Sequence, residues 1–300
     1  MAKASFIIPS YNSFQTIGRT LASILEQKSF DFVVEEVVVV DSSDDGKTRG
    51  VIQKFCHQGS KIKMISLDEK TPPAAGRNLG AQQSSGDVLC FIDSDVYLAP
   101  DWLEEVLKVY QEGCRVGCGT ICLPEFQEDE KLAQAQLYLQ FNEYLDGRGE
   151  RYSRSFVPSC NLFCDRGIFE KVGGFPNLRA SEDTLFCLRL TGIEKIWFIP
   201  TARCFHIFRQ EWKSFAKNQE LLGQYVSIYR RMHYKTWIYK GIMPVILFPG
   251  FLVIKILRIV SRISKADKDH VQKFFNSFGI FTLGIFYWSR GFIKGCFSKI

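Results

Sequence analysis

The chain has 300 residues, 46% of them hydrophobic, and carries 38 Lys+Arg against 32 Asp+Glu for a formal net charge of +6. That apolar share supports a sizeable core, and the absence of repeats or low-complexity tracts excludes solenoid and disordered classes. The charge is uneven: residues 230–300 hold 13 Lys+Arg and 2 Asp+Glu, whereas residues 1–229 hold 25 and 30, so a mildly acidic body precedes a strongly basic tail. In chain order, Ser5–Pro9 predicts a short buried strand. Its apolar run ends too early for a signal-peptide core, which gives the expectation of a cytoplasmic chain. Ile17, Leu21, Ile24 and Leu25 recur at helical spacing within residues 10–27. Glu36–Asp41, with its unbroken valines, predicts a strand buried on both faces.

Lys47–Cys56 predicts a second helix, Ile62–Leu67 a third strand and Pro73–Ser84 a third helix with proline in its first turn. Asp87–Ile92 predicts a fourth strand and Pro100–Gln111 the helix after it. This alternation implies an α/β, Rossmann-like, mostly parallel sheet flanked by helices. The ten cysteines lack close Cys-x-x-Cys pairs and are expected to be reduced, buried thiols.

In such sheets ligands bind beyond the carboxyl ends of the strands. Four strand ends here give Pro9-Ser10-Tyr11-Asn12, Asp41-Ser42-Ser43-Asp44-Asp45, Gly76-Arg77-Asn78 (through a loop) and Asp93-Ser94-Asp95. Two carboxylates one residue apart at the end of a buried strand can aim at one hard divalent cation, and the same residue types also make turns and helix caps. Asp44 and Asp45 are candidates for turn residues only. An aromatic side chain can flank a base, a carboxylate can accept its N–H, and Arg77 can neutralise phosphate oxygens. A dinucleotide-binding domain needs Gly-x-Gly-x-x-Gly after the first strand, and Ser10–Gln15 stands there instead. No Walker-type loop is present, so phosphate binding is expected to rely on a metal.

The order of these pieces resembles the family 2 glycosyltransferases, which have the GT-A fold. The stretches that carry the likeness are Phe6–Asn12, Val38–Asp44, Ala75–Gly80, Phe91–Asp95, Gly173-Gly174-Phe175-Pro176 and Ser181-Glu182-Asp183-Thr184. The resemblance covers about residues 3–210. It implies an enzyme that moves a sugar from a nucleotide diphosphate to an acceptor hydroxyl, using Mn²⁺ or Mg²⁺. By the resemblance, Pro9, Tyr11 and Asp41 would hold the nucleobase and Arg77 would lie beside the nucleotide. Asp93 would contact the ribose and sugar, and Asp95 would ligate the metal. Asp183 would be the catalytic base, with Glu182 positioning the acceptor or its loop. His206, after the predicted strand Ile196–Pro200, resembles a histidine that completes the metal site in some members, or is a satisfied structural histidine. Asp183 could also cap the helix of residues 184–190, for which Ser181 is the better-placed cap. A base opposite the leaving group permits direct displacement, hence inversion.

The expected domains are a GT-A unit over 1–210, with a nucleotide half (1–112) and an acceptor half (113–210), followed by a helical segment over 211–300. Glu128–Leu145 and Glu211–Met232 predict helices; the second carries Trp212, Phe215, Leu222, Val226 and Tyr229 along one face. Gly241–Ile254 is uncharged but broken by Pro244 and Pro249, and Phe274–Ser289 is also uncharged. Both fall short of the about 20 apolar residues a spanning helix needs. The intervening loop, Lys255–Lys273, carries six of the basic residues, which the positive-inside rule disfavours on the far side of a membrane. The expected arrangement is peripheral or monotopic association with the inner leaflet on the cytoplasmic face; a transmembrane hairpin and plain core helices are the alternatives. Nucleic acid is not an expected partner. The expected partners are a UDP- or GDP-sugar and a glycan or lipid-linked acceptor. Two rival functions are a nucleotidyltransferase, which would release pyrophosphate, and a non-catalytic membrane-bound sugar-binding protein, which would bind donor without turning it over.

Overall fold

A computed structural model describes residues 2–27, 33–56, 61–147, 149–239 and 241–298. By their contacts these form two compact units, one of residues 1–121 with 149–206 and one of residues 122–148 with 207–300.

The first unit opens with β1 (Lys3–Ser10), α1 (Ile17–Leu25), β2 (Val33–Asp41), α2 (Gly46–Cys56), β3 (Ile62–Ser66), α3 (Pro73–Gln82), β4 (Val88–Ile92), β5 (Val96–Leu98), α4 (Trp102–Gln111) and β6 (Val116–Cys122). The chain contributes α5 (Lys131–Phe141) to the second unit, then returns with β7 (Tyr152–Arg154), β8 (Asn161–Asp165), α6 (Arg166–Lys171), α7 (Glu182–Leu190) and β9 (Ile196–His206). The sheet order is β3-β2-β1-β4-β8-β6-β9-β5, with β7 beside β9. The predicted α/β alternation is present, and β3, β2, β1 and β4 run parallel. Beyond them β8 joins β4 antiparallel, and β5 and β7 both pair antiparallel with β9. The valines of β2 from Val37 to Val40 are buried, as their unbroken β-branched run requires. Helix α3 lies close on this half of the sheet because of Gly80, where a Cβ would stand 2.5 Å from Ile7 Cγ2.

The second unit is helical: α5 with α8 (Trp212–His233), α9 (Met243–Ile246), α10 (Phe248–Ile263) and α11 (Lys268–Phe297). As the sequence suggests, residues 241–254 are not one helix: α9 ends at Ile246 and α10 starts at Phe248, and Pro244 and Pro249 each sit in a first turn, where a missing N–H costs nothing. The expected basic loop over residues 255–273 is mostly helix, because Ile256, Ile259 and Ile263 continue the apolar spacing to the end of α10. Helices α8 and α11 approach backbone to backbone, and a Cβ on Gly223 would fall 1.9 Å from the Trp288 carbonyl oxygen. Among the described residues no helix is long and apolar enough to cross a membrane.

Candidate active site

The carboxyl ends of β1, β2 and β4 carry the predicted donor residues. Pro9, at the end of β1, lies against Gly76 of α3, where a Cβ would be 3.3 Å from the proline Cβ. Tyr11 follows and is half-buried. Its hydroxyl donates to Asp44 Oδ2 at 3.0 Å, and the Lys70 ammonium sits 3.6 Å from its ring centroid. Asn12 takes a left-handed backbone (φ 51°), a conformation asparagine tolerates, and donates through Nδ2 to the other Asp44 oxygen at 2.7 Å. These two hydrogen bonds hold the Asp44 carboxyl below its ordinary range.

Asp41 differs from expectation. It is fully buried, and Oδ1 accepts the hydroxyls of Ser10 (2.9 Å) and Ser43 (2.6 Å) while Oδ2 faces Arg49 Nε at 3.4 Å. Ser43 in turn receives the Asn12 N–H at 2.8 Å. Asp41 therefore braces the β1 and β2 loops from beneath instead of opening toward a base. The outward-facing carboxylate is Asp44, which sequence reasoning left as a turn residue. Its signal was available: an acidic residue three places after Asp41, opposite a Tyr-Asn pair. Asp45 caps α2 by accepting the Thr48 N–H at 2.9 Å.

Arg77 also has a different task. Its side chain is 2% exposed and bridges Asp93 Oδ1 (2.5 Å) and Glu182 Oε1 (2.8 Å). Burial works against its charge, but the two carboxylates outweigh that and raise its pKa. The guanidinium thus joins the end of β4 to the start of α7 and does not lie open to phosphate. Asn78, next along α3, adds a second clamp: it donates to the Phe175 carbonyl (2.8 Å) and accepts the Phe175 N–H (2.9 Å). Arg77 and Asn78 together fix the 173–183 segment beside the strand ends.

Asp183 follows Glu182 in the first turn of α7. Ser181, expected to cap this helix, makes no side-chain cap and is held at φ 63°, a strained left-handed conformation. Asp183 Oδ1 accepts the Thr184 N–H at 2.7 Å. Burial, with the Glu182 charge beside it, raises the Asp183 carboxyl to about 7. The Ser159 backbone N–H also reaches Asp183, while the next residue's carbonyl, Cys160, accepts the Asp93 N–H at 3.4 Å. One loop therefore touches the backbone N–H of Asp93 and the side chain of Asp183, which brings the two residues near each other.

Asp95 and His206 meet through sheet register. β5 starts at Val96, which pairs with His206 at the end of β9, so the preceding Asp95 comes alongside the imidazole. His206 Nε2 lies 3.9 Å from Asp95 Oδ1. A carboxylate oxygen and an imidazole nitrogen are donor types that one divalent ion can share. The half-exposed carboxylate and buried ring fit Mn²⁺ or Mg²⁺, with the imidazole favouring the softer ion.

A parallel half-sheet with an acidic strand end, joined to antiparallel strands on its other side, is the arrangement of the GT-A class of fold. Two solved structures share it. The mannosyltransferase PcManGT from Pyrobaculum calidifontis, in complex with GDP-Man and Mn²⁺, superposes with a TM-score of 0.64 at 15% identity over 100% of this chain and 88% of that one. GalNAc-T7 with UDP, GalNAc and Mn²⁺ gives a TM-score of 0.58 at 17% identity over 84% of this chain and 54% of that one. The chain belongs to glycosyl transferase family 2, whose model matches residues 5–173. Among curated relatives, the glycosyltransferase AglE of Haloferax volcanii is 29% identical over 174 residues, 58% of this chain and 56% of its own length. The probable glycosyltransferase YdaM of Bacillus subtilis is 26% identical over 230 residues, 71% of this chain and 52% of its own. The amylovoran biosynthesis glycosyltransferase AmsB of Erwinia amylovora is 32% identical over 109 residues, 36% of this chain and 35% of its own. The chain thus spans about half the length of the first two.

Proposed function

We propose that the protein transfers a sugar from a nucleoside diphosphate sugar to an acceptor hydroxyl, with inversion at the anomeric carbon. The observation that carries this is that Asp95 lies beside His206 while Asp93, two residues earlier, is joined through Arg77 to Glu182, the neighbour of Asp183. Tyr11 offers a ring face to the base, and Asp44 with Lys70 frames it. Asp93, held by Arg77, faces the ribose and sugar. Asp95 and His206 would hold Mn²⁺ or Mg²⁺, which when bound supplies Lewis-acid stabilisation of the diphosphate leaving group. Asp183 accepts the proton of the attacking hydroxyl. Its raised pKa suits that task, since a base whose pKa lies near the working pH combines driving force for proton transfer with a substantial ionised share. Glu182, locked on Arg77, keeps a negative charge beside Asp183 and fixes the helix that presents it.

The donor reading rests on the solved neighbours, one holding GDP-Man and the other UDP. A cell-surface or lipid-linked glycan acceptor is supported by relatives named for amylovoran and teichuronic acid biosynthesis. The helical unit supports peripheral association with the cytoplasmic face of a membrane. It is strongly basic and exposes large apolar side chains, among them Phe275 at 70% and Leu257 at 62%. The test is a panel of UDP- and GDP-sugars with Mn²⁺ or Mg²⁺, scored for nucleoside diphosphate release. One donor should be hydrolysed slowly in a metal-dependent way. Release of pyrophosphate instead would identify a nucleotidyltransferase, and binding without turnover a sugar-binding protein.

A further inference from the structure

The helical unit contains a cavity of about 430 Å³ lined by residues of α5, α8, α10 and α11, within the roughly 300–1,000 Å³ range of small-molecule sites. Four cations reach it: Arg230 from α8, and Lys255, Arg258 and Arg262 from successive turns of α10. Glu143 is the one carboxylate among the described residues of its wall, and it is paired with Arg262 at 2.7 Å. Three cations are left facing the space.

These three have no carboxylate within salt-bridge distance among the described residues. Arg230 is set among aromatic rings instead, 5.6 Å from the Phe251 centroid and 5.9 Å from those of Tyr239 and Phe292. The Lys255 ammonium stands 4.5 Å over the Trp288 ring. Ring faces compensate a desolvated cation only in part, and an ionised ammonium withdrawn from water is costly until an anion joins it. Burial, with the Arg230 and Arg262 charges nearby, lowers the Lys255 pKa to about 8. In contrast, some cations elsewhere in this unit have carboxylates: Lys273 meets Asp269 and Glu128, and Lys294 meets Glu220.

We propose that this cavity binds a phosphate monoester or diphosphate, carried as the head group of an anionic amphiphile. Arginine and lysine converging on a walled space are the chemistry that recognises a doubly charged phosphate. The apolar chain is argued from the rim. Ile254 both lines the cavity and stands 48% exposed, and Val253 and Leu257 continue an apolar surface outside it. A head group seated among the cations would leave its chain lying along that surface. The inference deepens the membrane-surface part of the proposed function and does not depend on the donor chemistry.

The test uses the full chain and phosphatidylcholine vesicles carrying either phosphatidic acid or a charge-matched amount of phosphatidylglycerol. Binding to the phosphatidylglycerol vesicles measures surface attraction; the extra affinity for phosphatidic acid, whose head group is a phosphate monoester, measures the cavity. The wild type should prefer phosphatidic acid by about tenfold, and Lys255→Gln/Arg258→Gln should erase that preference. Lys265→Gln/Lys268→Gln removes the same charge from exposed positions outside the cavity and should keep it. Arg258→Gln alone, at an exposed side chain, guards against a folding defect and should reduce the preference in part. Calorimetry with inorganic pyrophosphate in EDTA, which empties the donor-site metal, should show binding lost in the same cavity variants. Equal affinity for the two vesicles, or equal losses in cavity and control variants, would overturn the site. Pyrophosphate binding without any vesicle preference would overturn the amphiphile and leave a soluble phosphate as the occupant.

Discussion

The two units handle charge in opposite ways. In the sheet unit charges are paired across burial: buried Arg77 with Asp93 and Glu182, and buried Asp41 with the partly exposed Arg49. In the helical unit Arg230 and Lys255 rest on rings beside a cavity where Glu143 is already held by Arg262. A fully paired network fixes geometry, because each partner's position is determined by the others. An unpaired set stores the attraction for something that arrives. The sheet unit is therefore built to hold acids in place for chemistry, and the helical unit to wait for a charge from outside.

The largest effect expected from disturbing the paired side is at Asp95. Asp95→Ala should lower kcat/KM by about 10³-fold or more, since Lewis-acid stabilisation is worth several kcal/mol, and added Mn²⁺ should restore little of it. Asp183→Asn should lower kcat by about 10²–10⁴-fold while leaving donor affinity, measured by calorimetry with the nucleoside diphosphate, nearly unchanged. Because the Asp183 carboxyl is raised to about 7, its base form is lost as pH falls below that value. Wild-type kcat/KM should climb with pH through about 7 and then level off. Retention of wild-type kcat by Asp183→Asn, or a profile flat from pH 5.5 to 8.5 (about one and a half units either side of that value), would remove the base from the scheme.

Arg77→Met tests pairing through stability. It leaves the buried Glu182 carboxylate uncompensated, so urea unfolding should show a loss of about 3 kcal/mol, with Asp93 contributing less because it is partly exposed. A smaller effect belongs to Glu36, buried between β2 and its neighbours. Burial opposes its charge, but Lys63 and the two Ser85 hydrogen bonds outweigh that and lower it to about 2. A lowered folded-state pKa gives stability that is present above the unfolded value and lost as pH falls through the folded one. Acid titration of the wild type should thus lose stability between about pH 4.5 and 2, and Glu36→Gln should flatten that limb. The smallest effect is on the unpaired side: Arg258→Gln should change stability by no more than about 0.5 kcal/mol. A large loss there would mean that the cation already has a structural partner, and the contrast between the units would fail.

The alternation of strands and helices was legible in the chain because β-branched runs and helical periodicity are local properties; β1, β2, β3 and β4 and their intervening helices fall where the pattern puts them. The Asp93-Ser94-Asp95 pair stood out as carboxylates at a strand end, whereas Glu182-Asp183 was singled out by its resemblance to the family pattern. The helical extent of residues 255–263 was hidden because a run of arginines and lysines looks like a loop when its apolar partners are taken singly.

What the residues alone determined was the side-chain chemistry on offer: paired carboxylates at a strand end and a basic, aromatic tail. Tertiary structure decided which of these are exposed and what each one faces. Asp41 and Asp44 have the same side chain three positions apart, yet one is sealed under Ser10, Ser43 and Arg49 and the other holds Tyr11 outward. Arg77 is a phosphate ligand by type and a buried strut by position. His206 reaches Asp95 through the pairing of β5 with β9, more than a hundred residues apart in the chain. Burial and pairing are set by contacts distant in sequence, and no local pattern encodes them.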